Sequence, residues 1–191
     1  TIISIGFANK IIYRNKANLY DDIYVTGNLG DSFMGLKILK KQISVGKNLK
    51  KYFEKKYFFP DLQISFTKKM INLANTSIDI SDGLIGDLEK LINNQKLSYI
   101  IYLDNIPISK NFNKILIQKN LKKEHFVSQG DDYQVLFTAS PQKARIISKT
   151  SKSLGIKISK IGKICSSSQN PLIIDKNGRK IKLKNKGYYH R

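Results

Sequence analysis

One cysteine, two histidines and four arginines among 191 residues leave several kinds of chemistry without material. Cys165 has no second thiol, which excludes a disulfide framework and a thiolate zinc site. His125 and His190 lie far from it and from each other along the chain. Cys165 follows Ile161-Gly162-Lys163-Ile164 in a strand-like run and reads as a small buried thiol rather than a nucleophile. No apolar stretch approaches the roughly 18 residues of a membrane helix, and Thr1-Ile2-Ile3-Ser4-Ile5 is too short for a signal-peptide core. A cytoplasmic protein with no membrane partner is the expectation.

Acid is scarce as well: 14 Asp and Glu face 34 Lys and Arg, for a formal charge of +20. Such a charge suits nucleic acid, an anionic surface or a phosphorylated substrate. The excess is nearly all lysine, whereas readers of phosphate and base favour the planar arginine fork. Lys, Ile and Asn are abundant together, which reads as genome-wide compositional bias. Lys50-Lys51-Tyr52-Phe53-Glu54-Lys55-Lys56-Tyr57-Phe58-Phe59 interleaves rings and cations as a single-strand binding surface does. Tyr52, Phe53 and Tyr57 nevertheless fall at helical spacing, so the segment reads as an amphipathic helix ending near Pro60, and no nucleic-acid partner is expected.

The apolar content of 41% is enough for one well-packed domain. Short β-branched runs at Thr1–Ile5 and Lys10–Tyr13 read as a hairpin left over from a preceding domain, so residues 1–16 are set apart from an α+β domain over 17–191. Within that domain, strands are predicted at Asp22–Gly27, Ser77–Ile80, Tyr99–Leu103, Tyr133–Thr138, Ile156–Ile164, Pro171–Ile174 and Lys180–Leu183, the last two joined by a turn at Asp175-Lys176-Asn177-Gly178. The nearly continuous apolar run at Tyr99–Leu103 implies a central strand. Helices are predicted from Gly30-Asp31-Ser32, with Asp31 or Ser32 as cap, over Gly46–Phe58 and Gln63–Asn72, after Gly83, over Phe112–Leu121, and from Pro141 to Leu154. Strands and helices mix without strict alternation, so the fold class is α+β, one mixed sheet covered by helices.

The densest chemistry lies where a strand turns into a helix, at Ser77-Ile78-Asp79-Ile80-Ser81-Asp82-Gly83-Leu84. Carboxylates this close resist ionising together unless a cation sits between them, so the turn reads as a contact for magnesium and nucleotide phosphate. Asp82 and Ser81 also suit the cap of the following helix. Asp79 lies in the strand, where Asp is disfavoured and a cap does not account for it, and it tips the pair toward metal.

Three segments resemble the thiamine-monophosphate kinase family, within the larger group that holds aminoimidazole-ribonucleotide synthetase, selenophosphate synthetase and a hydrogenase maturation factor. Asp21-Asp22-Ile23-Tyr24-Val25-Thr26-Gly27-Asn28-Leu29-Gly30-Asp31-Ser32 resembles the family's Gly-Asp-x-Ile-Tyr-Val-Thr-Gly-x-x-Gly-Asp, with Tyr20 in place of its glycine. Ile78-Asp79-Ile80-Ser81-Asp82-Gly83-Leu84 matches its acidic turn, and Gly130-Asp131-Asp132-Tyr133 resembles its Gly-Glu-Asp-Tyr. Lys186-Gly187-Tyr188-Tyr189-His190 resembles its terminus, with Arg191 where an aromatic is usual.

The resemblance implies a C-terminal part of an ATP-dependent, magnesium-using phosphotransferase, homodimeric when intact and lacking its N-terminal domain here. It implies that Asp79 and Asp82 hold Mg2+, that Ser81 and Arg14 contact ATP, and that Asp131 and Tyr188 contact thiamine monophosphate. Departures touch single positions: Asn15-Lys16 replaces a Ser-Gly, Gln129 a glycine, and Asp131 and Gln134 each replace an acid of the family. Taken without the resemblance, Gly130-Asp131-Asp132 reads as a turn, Arg14 as solvated surface and Tyr188 as a ring packed on the domain. Another ATP-using member of the group, or a non-catalytic remnant, remains the rival reading.

Overall fold

The computed structural model describes residues 3, 5–183 and 187. Its frame is one six-stranded sheet of β1 (Asp22–Thr26), β2 (Thr76–Asp79), β3 (Leu97–Tyr102), β4 (Val135–Ala139), β5 (Ile158–Ser166) and β6 (Leu172–Ile174), in the order β2-β4-β1-β5-β3-β6. Every pairing is antiparallel except β3 with β6. Helices cover both faces, as an α+β sheet requires: α1 (Asp31–Leu39), α2 (Lys47–Phe58), α3 (Ile64–Met70), α4 (Leu84–Leu91), α5 (Lys110–Gln118), α6 (Glu124–Val127) and α7 (Ala144–Leu154).

Successive side chains of a strand point to opposite faces, and β1 shows this in its core assignments. Ile23 and Val25 enter the larger core with Met34, Phe53, Leu84, Leu88 and Phe112, whereas Tyr24 joins Phe66, Met70, Phe137 and Ile147 on the other face. Tyr24 stacks on Phe137 with ring centroids 5.3 Å apart. All five residues of β1 are buried, and β1 with β5 holds the middle of the sheet. The run at Tyr99–Leu103 instead forms a strand next to the edge, between β5 and short β6. Continuous apolarity reports cover on two faces and carries no information about order across the sheet.

The opening segment also differs from expectation. Residues 5–16 form neither strand nor helix, and Ile5 and Phe7 are exposed. Among the described residues no strand pairs with Lys10–Tyr13, and an unpaired hairpin is marginal in water. The chain is first tied down where Asn15 N–H donates to the Leu91 carbonyl (2.9 Å) and the Tyr13 carbonyl accepts from the Thr76 hydroxyl (2.6 Å). Lys180–Leu183 likewise forms no strand of its own: Lys180 makes an isolated bridge to Ile174, and the turn before it is held by Asp175, which accepts from Asn177 and Arg179. Cys165 is buried, as expected. No described helix is long and apolar enough to cross a membrane.

Antiparallel pairing brings the end of β2 beside the start of β4, with Asp79 opposite Val135. The pairing continues into the loops: Ile80 N–H donates to the Gln134 carbonyl (2.9 Å), Tyr133 N–H to the Ile80 carbonyl (2.9 Å) and Asp131 N–H to the Ser81 carbonyl (3.0 Å). The acidic turn and the Gly130-Asp131-Asp132-Tyr133 loop therefore lie side by side, although about 50 residues separate them in sequence.

Candidate active site

The two loops and the first turns of α1 enclose an open cleft of about 450 Å³. Phe33 and Leu36 form an apolar wall; Ser81, Asp82, Gln129, Gly130, Asp131 and Tyr133 form the polar one. Loop contact is tight enough to demand glycine at Gly130, where a Cβ would lie 1.9 Å from the Ser81 carbonyl oxygen. Asp131 (φ 68°) and Tyr133 (φ 50°) both sit in the left-handed region, which costs a tyrosine more than an aspartate. That backbone keeps Tyr133 and Gln134 out of β4, whose ladder starts at Val135 rather than at Tyr133.

The acidic turn is held by a residue that the motif reading passed over. Asp87, in the first turn of α4 and 1% exposed, accepts through a single oxygen, Oδ2, from the amides of Ser81 (2.9 Å), Asp82 (2.9 Å) and Gly83 (3.0 Å). Its other oxygen accepts from Lys90 Nζ at 2.9 Å. Asp82 is therefore not the helix cap: Gly83 occupies the cap position without a side-chain bond, and the Asp82 side chain stays partly exposed and ion-paired to Lys90. An acid three or four residues into a helix behind a Ser-Asp-Gly turn is the signal that marks Asp87.

A second carboxylate, Asp132, does the same for α1. It is buried and accepts from Gly30 N–H (2.7 Å) and Ser32 N–H (3.3 Å) across a hundred residues of chain. The cap position belongs to Gly30 (φ 88°), with no cap bond from Asp31 or Ser32. Asp31 instead accepts from the hydroxyls of Tyr52 (2.9 Å) and Ser109 (2.7 Å), tying α1 to α2 and to the start of α5. Gln134 is buried and fully engaged with Thr26, Gln63 and the carbonyls of Asp61 and Asp132.

Burial pushes the Asp132 carboxyl up to about 8 against the pull of its two amide donors, and the charges of Asp31 and Asp131 add to the rise. The folded chain thus holds this proton more tightly than the unfolded chain. Its stabilising effect is complete below about pH 4 and is lost as the pH climbs through about 8. The melting temperature is expected to fall between about pH 5 and pH 8.5, and Asp132→Asn to flatten that fall; equal slopes in the two proteins would contradict the assignment.

Of the residues singled out in the sequence, Ser81, Asp82 and Asp131 line the cleft, and Asp79 stands exposed at the adjoining end of β2. The acids share one electrostatic neighbourhood. Burial and then the Asp82 charge raise the Asp131 carboxyl, while burial followed by Asp131, Asp79 and Asp82 raises the Tyr133 phenol. Arg14 is exposed and does not line the cleft. Its neighbours are fixed to the start of β2 and the end of α4, whereas the acidic turn joins the opposite ends of both, about 10 Å away by their rises per residue. Tyr188 lies outside the described residues. Gly187 is described, close to the Asp82 carbonyl: a Cβ there would lie 2.9 Å from that oxygen. No group of three or more His, Cys, Asp or Glu is arranged around a metal position among the described residues.

No family model matches the chain. The thiamine-monophosphate kinase of Buchnera aphidicola (subsp. Acyrthosiphon pisum, strain APS) is 35% identical over 100% of this chain and 59% of its own length. The crystal structure of thiamine-monophosphate kinase from Stenotrophomonas maltophilia K279a superposes with a TM-score of 0.77 at 22% identity, covering 88% of this chain and 54% of that one. AaThiL complexed with AMPPCP and TMP superposes with a TM-score of 0.76 at 24% identity, covering 94% and 55%. The chain spans between half and three-fifths of the length of these relatives. With sequence likeness running through its whole length and the same α+β fold beneath it, the chain belongs to the thiamine-monophosphate kinase family.

Proposed function

We propose that this chain is part of an ATP-dependent thiamine-monophosphate kinase and forms one wall of the cleft in which the γ-phosphate of ATP passes to the substrate phosphate. A phosphate oxygen of thiamine monophosphate attacks the γ-phosphorus, the bond to the β-phosphate oxygen breaks, and thiamine diphosphate and ADP leave. The observation that carries this reading is the convergence of Ser81, Asp82 and Asp131 on one cleft beside an apolar wall. AaThiL complexed with AMPPCP and TMP supports it as a relative of the same fold that takes a nucleotide analogue.

Phosphoryl transfer asks little covalent chemistry of a protein and much positioning and charge neutralisation. Asp79 and Asp82 offer hard oxygen donors, and Mg2+ is commonly bound through one or two carboxylates with phosphate oxygens and water completing its shell. These residues fit magnesium in that sense, and when bound the ion would neutralise charge on the phosphates. The Ser81 hydroxyl donates toward a phosphate oxygen of ATP. Asp131 and the faces of Phe33 and Tyr133 suit a cationic heteroaromatic ring such as thiazolium, through charge and cation–π attraction. Arg14 and Tyr188 complete the proposed nucleotide and substrate contacts, Arg14 from outside the cleft.

The chain supplies only part of such a site, and the relatives' remaining length has no counterpart in it. ATP, thiamine monophosphate, a polypeptide carrying that remaining part, and a homodimeric assembly are the proposed partners. Incubation with Mg-ATP and thiamine monophosphate is expected to yield thiamine diphosphate only when the remaining part of the family's length is supplied. Absence of product from the reassembled protein, with either order of addition, would reject the reading.

A further inference from the structure

We propose that Lys90 is a tethered counter-ion of the acidic turn: its ammonium holds Asp82 until a divalent cation displaces it, and its charge sets how tightly the turn takes that cation. The inference rests on the reading of Asp79 and Asp82 as metal ligands and adds a residue that is not itself a ligand.

Lys90 lies in the last turn of α4, where a cation ordinarily serves the carbonyl end of the helix. Its side chain instead runs back toward the helix start, the direction in which helical side chains lean, and bridges Asp87 and Asp82. The two partners are not equivalent. Asp87 is 1% exposed, and its oxygens are committed to three turn amides and to Lys90. The Asp82 side chain is 21% exposed and lines the cleft, and Lys90 itself is half in solvent. Asp87 is therefore the fixed anchor of the ammonium and Asp82 the exchangeable partner. With no divalent ion bound, the bridge neutralises the two acids and keeps the turn in shape. A cation arriving at Asp82 has to displace Lys90 and then remains a few ångströms from an ammonium still held by Asp87.

Repulsion between a divalent and a monovalent charge about 5 Å apart, screened by water and salt, corresponds to a change in affinity of about threefold to tenfold. The test is a Mn2+ titration of the full chain, with free Mn2+ read by electron paramagnetic resonance, on wild type, Lys90→Met, Lys90→Gln, Lys90→Arg and Asp82→Asn. Lys90→Gln retains an N–H donor for Asp87 and separates loss of charge from loosening of the turn. Both neutral variants are expected to bind Mn2+ about threefold to tenfold more tightly than wild type, and Lys90→Arg to stay near it. Equal or weaker binding by both neutral variants, with binding still lost in Asp82→Asn, overturns the role of Lys90 and leaves the metal reading standing. Binding that Asp82→Asn does not weaken, or no binding by any of the proteins, overturns the metal reading and the inference with it.

Discussion

Replacing Asp87 with alanine is expected to lower the melting temperature by about 6 °C or more, and to do so without any ligand present. The substitution leaves the amides of Ser81, Asp82 and Gly83 without their acceptor and strands Lys90 beside Asp82 alone. A buried donor left unsatisfied costs about 1–3 kcal/mol, so three of them, with partial rescue by water at the cleft, amount to about 3–6 kcal/mol. That is a large share of the roughly 5–15 kcal/mol by which such domains are stable, and each kcal/mol moves the midpoint by about 2–4 °C at this chain length. Asp87→Asn should fall between alanine and wild type, because an amide oxygen can accept but carries no charge for the convergent N–H groups. Thermal unfolding followed by circular dichroism decides, and a midpoint for Asp87→Ala within 2 °C of wild type would show that the turn does not depend on this carboxylate.

The second large effect separates chemistry from stability. In the reassembled kinase, Asp82→Asn is expected to reduce turnover by about 100-fold or more, and Asp79→Asn to act in the same direction, while the melting temperature of each stays within about 4 °C of wild type. Removing the Asp82 charge breaks an ion pair with a half-exposed lysine, and exposed pairs of this kind contribute about 0–1 kcal/mol. Asp79 is exposed at the end of its strand. On the proposed reading, both substitutions would remove negative charge that serves a divalent cation, in a reaction that depends on charge neutralisation. Arg14→Ala, outside the cleft, should lower turnover much less than Asp82→Asn, and the reverse order would move the nucleotide site away from the acidic turn.

The acidic turn was legible in the sequence because its information is local: Asp79 in a strand, Ser81 and Asp82 in a turn, and helical spacing of Leu84, Leu88 and Leu91 behind them. The strand at β1 and the amphipathic pattern of α2 were legible for the same reason. What holds these pieces together was not, because it acts across the chain. Asp132 caps a helix that begins a hundred residues earlier, and Asp31 serves Ser109 and Tyr52 rather than its own helix. No local propensity distinguishes a carboxylate that caps its own helix from one that reaches another. The order of strands is of the same kind: the run at Tyr99–Leu103 is as apolar as a central strand, yet β1, with Asp22 paired to Lys160, takes the middle. The β-branched run at Lys10–Tyr13 shows the converse, strand propensity with no partner strand among the described residues, while most of the run at Thr1–Ile5 lies outside them.

The most direct test of the central claim is the map of amide resonances broadened by Mn2+ together with a non-hydrolysable ATP analogue, read by NMR on the isotopically labelled chain. The expected result is selective broadening of residues 79–83 and 130–133, abolished when Asp79 and Asp82 are both asparagine. Broadening centred elsewhere, or a pattern unchanged by the double substitution, would contradict the assignment of this turn to a divalent ion and the phosphates it accompanies.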